Sequence, residues 1–333
     1  NKYKDLKQFL FKHKKTGNEY THNALGNPPH SYPGSYNIQA ESSEEFLYHY
    51  INDVIKNKKN SYLTESHTKI SPVLIDLDFR FKAEIKDRQY TLDSLKEFLN
   101  YYINELNNYV NVDDYDVSAY IMEKKKPNVL TKKNITKDGV HIMFPYLVSE
   151  PKIQHVLRHK IVQNQKCKEL FEKLNIINPI EDIVDASVIE RNGWLLYGSK
   201  KPNGEPYVLT HILKYNQKND IDDKQKEKFK ENLKEIKNTH SGEDLVRILS
   251  IRNKKEEDAM EIREDKISKL ERAFEKLPVK HRLKKKTKLN KKKTTQTKNK
   301  CDNIDFVRKL VNLLSGNRAE SFENWIRVGW CLH

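Results

Sequence analysis

The sequence predicts an α+β fold. Three observations carry it. Apolar runs of strand length recur in "PVLIDLDFRF", "YDVSAYIME" and "GVHIMFPYLV". Apolar residues at helical spacing recur in "TLDSLKEFLNYYINELNNYV" and "PKIQHVLRHKIVQNQKCKELFEKLN". The two patterns alternate across residues 61–215, as strands and helices do when they share one core.

Taken in order, residues 1–60 read as an accessory segment. "DLKQFLFKHK" and "SEEFLYHYINDVIKNKK" have helical spacing, with Ser43 as an N-cap and Glu44 and Glu45 suited to a first turn. Between them "GNPPHSYPGSYNIQ" is dense in Pro and Gly and reads as loop. Residues 61–215 are the mixed core. Its first helix sets Leu95, Phe98, Leu99, Tyr102 and Leu106 on one side, and its second has Pro151 near the start. "VDASVIERNGWLLYGSKK" reads as strand-like pieces around a turn at Asn192-Gly193. Residues 216–278 form a charged helical extension, with one long exposed helix expected in "IRNKKEEDAMEIREDKISKLERAFEKL". Residues 279–300 are a basic linker. Residues 301–333 read as the start of a helical module that the end of the chain truncates, and the opening Asn1 also suits a fragment. Internal repeats are not evident.

The chain has 333 residues, room for roughly two domains. Its net charge of +15 is uneven: residues 280–300 supply +11 through ten lysines, one arginine and no acid. Such a tract suits a polyanion, or serves only as a solvated linker. Lys284, Lys285, Lys286, Lys291, Lys292 and Lys293 are its candidate DNA contacts. Cys167, Cys301 and Cys331 form no C-x-x-C pair, so neither a disulfide framework nor a four-cysteine zinc site is expected, and an intracellular setting fits. No run of about 18 apolar residues predicts a membrane span, and residues 1–20 lack a signal-peptide pattern.

The chemistry begins in "PVLIDLDFRF". Residues i and i+2 of a strand share a face, so Asp76 and Asp78 project together while Ile75, Leu77 and Phe79 face a core. Burying unpaired carboxylates costs several kcal/mol. Divalent cations would offset that, and Mg²⁺ takes such oxygen ligands with water and substrate phosphates completing its shell. His141 opens an apolar strand in "KDGVHIMFP", where a histidine is also at home as a satisfied core residue. Asp185 follows an apolar stretch. Downstream, Gly198-Ser199-Lys200-Lys201 could hold phosphates through backbone, hydroxyl and ammonium donors, or be a plain basic loop.

Together and in this order, "PVLIDLDFRF", "KDGVHIMFP", "VDASVIERNGWLLYGSKKP" and "ILSIRN" at 248–253 resemble the archaeo-eukaryotic primase superfamily. The nearer resemblance is to the primase part of poxvirus-type primase–helicases of large DNA viruses of eukaryotes. It spans about residues 60–333, and residues 1–60 match more loosely. The tail "SFENWIRVGWCLH" is similar to the helical module that leads to a helicase in those proteins.

The resemblance implies a core in which a small mixed sheet, related to the RNA-recognition fold, packs with a second α/β unit, followed by helical segments. It implies a DNA primase or primase-polymerase acting in viral DNA replication, in the host cytoplasm or at a viral replication site. Asp76, Asp78 and Asp185 would hold two Mg or Mn ions. His141, Lys200, Ser199, Lys201, Arg191 and Asn192 would bind the nucleotide. The implied partners are a single-stranded DNA template, an NTP or dNTP and a C-terminal helicase domain, with no membrane. Two departures stand out. Gly139 occupies a position where the family commonly has Ser, and Trp194-Leu195-Leu196 stand where relatives carry an Arg, for which Arg191 is the candidate substitute.

Two other readings use the same residues. A metal-dependent nuclease would pair Asp76 or Asp78 with Glu123-Lys124-Lys125. A non-catalytic module would bind DNA and recruit a helicase.

Overall fold

The structure, a computed structural model, describes residues 3–26, 33–216 and 232–278. Its strands are β1 (His22–Ala24), β2 (Gly34–Tyr36), β3 (Leu63–Glu65), β4 (Ser71–Lys82), β5 (Ser118–Glu123), β6 (Asn128–Leu130), β7 (Ile135–Ser149), β8 (Trp194–Leu195), β9 (Val208–Tyr215) and β10 (Leu233–Ile236). Its α-helices are α1 (Leu6–Lys12), α2 (Ser43–Tyr50), α3 (Leu92–Asn107), α4 (Pro151–Gln163), α5 (Gln165–Glu172), α6 (Ile180–Ile183), α7 (Gly242–Ile248) and α8 (Glu264–Glu275).

The large sheet has the order β10-β9-β5-β7-β4, with β6 also on β7. The α+β class holds, but the sheet is not mixed: every pairing between these strands is antiparallel. Strand alternation divides its faces. Ile75, Leu77, Phe79, Val140 and Ile142 pack with α3, α4 and α5 in the main core. Leu74, Tyr120, Met122 and Met143 on the other face join a second cluster with Trp194, Leu245 and Leu249.

The β4/β7 ladder breaks its register between Pro72 and Val73, where the partners jump from Val148 to Phe144. Pro72 on one strand and Pro145 on the other have no N–H to donate, so a bulge falls where the ladder is weakest. Gln154 of α4, fully buried, fills the gap. Its Oε1 accepts from Leu74 N–H at 3.1 Å, and its Nε2 donates to Pro72 O and to the Ser71 and Ser149 hydroxyls.

Helix ends follow local chemistry. Thr91 and Ser94 form a reciprocal capping box on α3, and Pro151 opens α4. The single helix expected from Pro151 onward is two, because Asn164 is extended and its side chain caps Cys167 N–H of α5. The long helix expected from Ile251 is confined to α8. Ile251 is buried in the second cluster, and Met260 N–H donates to Val148 O of the large sheet, so tertiary contacts hold residues 251–263 out of the helix. Ser43 is the first residue of α2 rather than its cap.

A smaller antiparallel sheet, β2-β1-β3-β8, joins three strands from the first 65 residues to Trp194–Leu195. α1, α2 and the π-helical turn Ile51–Lys56 pack with Leu63, Leu196 and Val246 in a third cluster. Among the described residues no helix is long and apolar enough to cross a membrane. The basic tract, its six candidate DNA-contacting lysines Lys284 to Lys293, Cys301, Cys331 and the 301–333 module lie outside the described residues.

Candidate active site

Antiparallel register sets the centre of the site. Asp76 faces His141 across β4 and β7, and Asp78 faces Gly139. Asp76 Oδ1 and His141 Nε2 are 3.7 Å apart, too far for a direct hydrogen bond. Asp185 reaches the same point from another element. Val184 bridges Leu77, and Asp185 N–H donates to Asp76 O at 3.0 Å. Asp185 is not on a strand: its carboxylate caps the 3₁₀ turn Ala186–Val188, accepting from Ser187 N–H and from the Ser187 hydroxyl. Arg158 of α4 braces this loop by donating to Val184 O and Glu181 O.

Asp76, His141 and Asp185 line a cavity of about 330 Å³ between the two sheets. Arg191, Asn192 and Lys201 also line it. Residues 1–66 supply the opposite wall through Tyr20, Asn23, Leu25, Thr64 and Ser66. None of those five stood out in the sequence, because Asn23 and Thr64 sit on three-residue strands too short to show a period and Tyr20, Leu25 and Ser66 lie outside strands.

The electrostatics of the three acids differ. Burial, and then the negative charges of Asp185 and Asp78, push the Asp76 carboxyl up to about 7, with Lys201 and Lys124 acting against them. Asp78 instead has cations at hand, Lys137 Nζ at 3.3 Å and Arg80 at 3.8 Å. His141 is held well below the ordinary imidazole range by burial and by the positive charges of Lys201 and Lys124, so its ring is neutral at pH 7.

A residue that the sequence did not single out fixes that ring. Tyr207 stacks on His141 with centroids 3.6 Å apart and planes 17° from parallel, and Trp194 packs 4.5 Å away. The Tyr207 hydroxyl occupies the space over Gly139, where an added Cβ would meet it at 2.8 Å. A side chain at 139 and Tyr207 in this pose are therefore mutually exclusive. Lys124 Nζ lies 4.8 Å from the centroid of the Tyr207 ring.

The Gly198–Lys201 loop is divided. Gly198 has φ +91°, a conformation suited to glycine, with Val54 and Ile55 close to where a Cβ would stand. Ser199 turns inward, and its hydroxyl is hydrogen-bonded with those of Tyr50 and Ser61 and with Leu63 N–H. The backbone N–H groups of Ser199 and Lys200 donate to Leu196 O and Ser61 O. Of this loop, Lys201 is the residue that faces the cavity.

Glu123 is far from the pose that a nuclease needs. It pairs opposite Val140, on the helix side of the sheet, where Arg88, Tyr90 and Thr210 bond its carboxylate. "ILSIRN" also has a structural place. The Ser250 hydroxyl and Ile251 N–H donate to the buried Glu65 of β3, and Arg252 donates to Ser66 O.

Among the described residues no three His, Cys, Asp or Glu side chains close around a single point. The donor set nevertheless fits divalent cations. Asp76 and Asp185 offer hard oxygen donors to one cavity, and the Asp76 carboxyl, raised first by its burial and then by Asp185 and Asp78, would be relieved by a cation there; water and phosphate oxygens would complete the shell.

Fold and site together describe an α+β domain with a carboxylate-lined cleft. The chain belongs to the family described as "C962R protein N-terminal AEP domain", AEP being the archaeo-eukaryotic primase group, which it matches over residues 29–213, more than half its length. It is similar to "Putative helicase L207/L206" of Acanthamoeba polyphaga mimivirus, 28% identical over 360 positions covering 100% of this chain and 35% of the relative. It is also similar to "Putative helicase 184R" of Invertebrate iridescent virus 6, 24% identical over 347 positions covering 98% of this chain and 34% of the relative. The chain thus spans about a third of the length of these relatives.

Proposed function

We propose that this chain is the primase part of a viral primase–helicase and performs template-directed nucleotidyl transfer as a DNA primase or primase-polymerase. One observation carries the reading: in a member of the AEP family, Asp76, Asp185 and a neutral His141 share a cavity with Lys201 and Arg191.

In this reading Asp76, Asp78 and Asp185 hold two Mg or Mn ions. Such ions lower the pKa of an attacking hydroxyl and neutralise the leaving pyrophosphate. The residues themselves bind and orient. Lys201 and Arg191 pair with triphosphate oxygens, and Asn192 offers its amide from the same rim. His141, neutral and locked between Tyr207 and Trp194, donates one ring N–H to a phosphate oxygen without adding charge. Ser199 and Lys200 support the loop from behind. The 3′-hydroxyl attacks the α-phosphate, and the bond to pyrophosphate breaks. Single-stranded DNA is the template, the incoming substrate is an NTP or dNTP, and a helicase completes the full-length protein. Its setting is the infected host cell, in the cytoplasm or at a replication site.

The ion pairs of Asp78 favour a second reading, a DNA-binding and helicase-recruiting module without catalysis. Incubation with single-stranded template, labelled NTPs or dNTPs and Mg²⁺ or Mn²⁺ separates the two. Metal-dependent products that vanish in Asp76→Ala/Asp78→Ala support transfer. DNA binding without products supports the second reading, and template degradation would favour a nuclease.

A further inference from the structure

Residues 124–137, "KKKPNVLTKKNITK", hold six lysines and no acid. Their path follows from the pairing. β5 ends with Glu123 opposite Val140, and β6 resumes on the same edge of β7 with Asn128 opposite Lys137. A 3₁₀ turn at Thr131–Lys133 and a left-handed Asn134, φ 51°, then reverse the chain into β7. This is the tip of a hairpin built on the strand that carries His141. β4 follows the other edge of β7 until Lys82 opposite Ile135.

Alternation defines what the hairpin presents on the site face. On β7 it is His141, Gly139 and Lys137, and on β4 it is Asp76, Asp78, Arg80 and Lys82. Acid therefore gives way to base within one pair of residues. Ile135 lies six residues from His141, roughly 20 Å at strand rise. At the root, Lys137 contacts Asp78, and Lys124 lies on the Tyr207 ring that stacks on His141. Beside them Lys125 and Lys126, between β5 and β6, and farther out Lys132 and Lys133, in the turn, are exposed, and none of the four has an ion pair among the described residues. Four like charges in two pairs at the two ends of β6 make a line of positive potential along one hairpin, and a polyanion that follows it is attracted at each pair.

We propose that this hairpin is a phosphate-backbone track that leads single-stranded DNA to the cavity, separate from any contribution of residues 280–300. The choice of single-stranded DNA as the polyanion rests on the nucleotidyl-transfer reading. Track and reading fail independently, because binding is measured without catalysis.

The test uses the whole chain with Lys125, Lys126, Lys132 and Lys133 all changed to Gln, and fluorescence anisotropy of a labelled oligothymidylate across a salt series. Affinity should fall at least about tenfold, and the slope of log K against log salt should flatten by about 0.7 per lost contact, near 3 for four. A matched set on the helix layer, Lys160, Lys166, Lys173 and Lys276 to Gln, should change affinity less than about twofold. An Arg set at the four hairpin positions keeps the charge and should bind like wild type. Unchanged binding in the hairpin Gln set, an equal loss in the helix-layer set, or lost binding in the Arg set would each overturn the proposal. If wild type incorporates nucleotides, the hairpin Gln set should raise the KM for template and leave the KM for nucleotide unchanged; a rise in the nucleotide KM alone would overturn it.

Discussion

The wall that carries Asp76, Asp78 and His141 is a ladder between strands of 12 and 15 residues, whereas the facing wall is a sheet whose four strands have three residues or fewer. The long ladder buries one continuous apolar face on α3, α4 and α5, and its weak point, the proline bulge, is plugged by Gln154. The short sheet cannot rely on ladder hydrogen bonds. Its coherence comes from buried polar groups that tie distant segments together: Ser199 with Tyr50 and Ser61, and Glu65 with Ser250 and Ile251. Rigid carboxylates thus face a wall whose geometry is set by side chains.

The largest expected effect tests the rigid wall as chemistry. Asp76→Ala should lower nucleotide incorporation by on the order of 10³-fold, the loss of several kcal/mol of transition-state stabilisation, with DNA affinity unchanged. Incorporation within a few-fold of wild type would remove Asp76 from the site.

Next comes the same wall as structure. Gln154→Leu leaves Leu74 N–H and the bulge carbonyls without partners inside the core. Urea unfolding should show a loss of about 2–4 kcal/mol.

Gly139→Ala sharpens the contact between ladder and ring stack. Its Cβ would meet Tyr207 Oη at 2.8 Å and Leu77 O at 3.2 Å. Overpacking of about 1–3 kcal/mol should displace Tyr207 from His141 and lower incorporation at unchanged DNA affinity. Adding Tyr207→Phe removes the nearer clash and should restore most of the activity. No recovery in the double variant would mean that the tyrosine is not what excludes a side chain at 139.

The smallest effect addresses the short sheet. Ser199→Ala should cost about 1–2 kcal/mol of stability by orphaning Leu63 N–H and removing the hydroxyl contacts to Tyr50 and Ser61, with the KM for nucleotide unchanged. A raised KM without loss of stability would put the Ser199 hydroxyl on the phosphates instead. A loss larger than that of Gln154→Leu would invert the comparison between the walls.

Period-2 alternation in "PVLIDLDFRF" and "GVHIMFPYLV" was legible because burial of one face imposes it residue by residue, and it put Asp76 and Asp78 side by side before any fold was known. The amphipathic α3 was legible for the same reason at helical period. Burial of Leu63, Trp194 and Leu196 in shared clusters leaves no such trace, because two or three residues carry no period. Register across β4 and β7, the approach of Asp185, the inward turn of Ser199 and the seat of Tyr207 over Gly139 arise from contacts between segments tens to more than a hundred residues apart. Local chemistry settles which residues can form a strand, a cap or an acid pair. Which of them meet depends on how the layers close over one another, and that closure set the site.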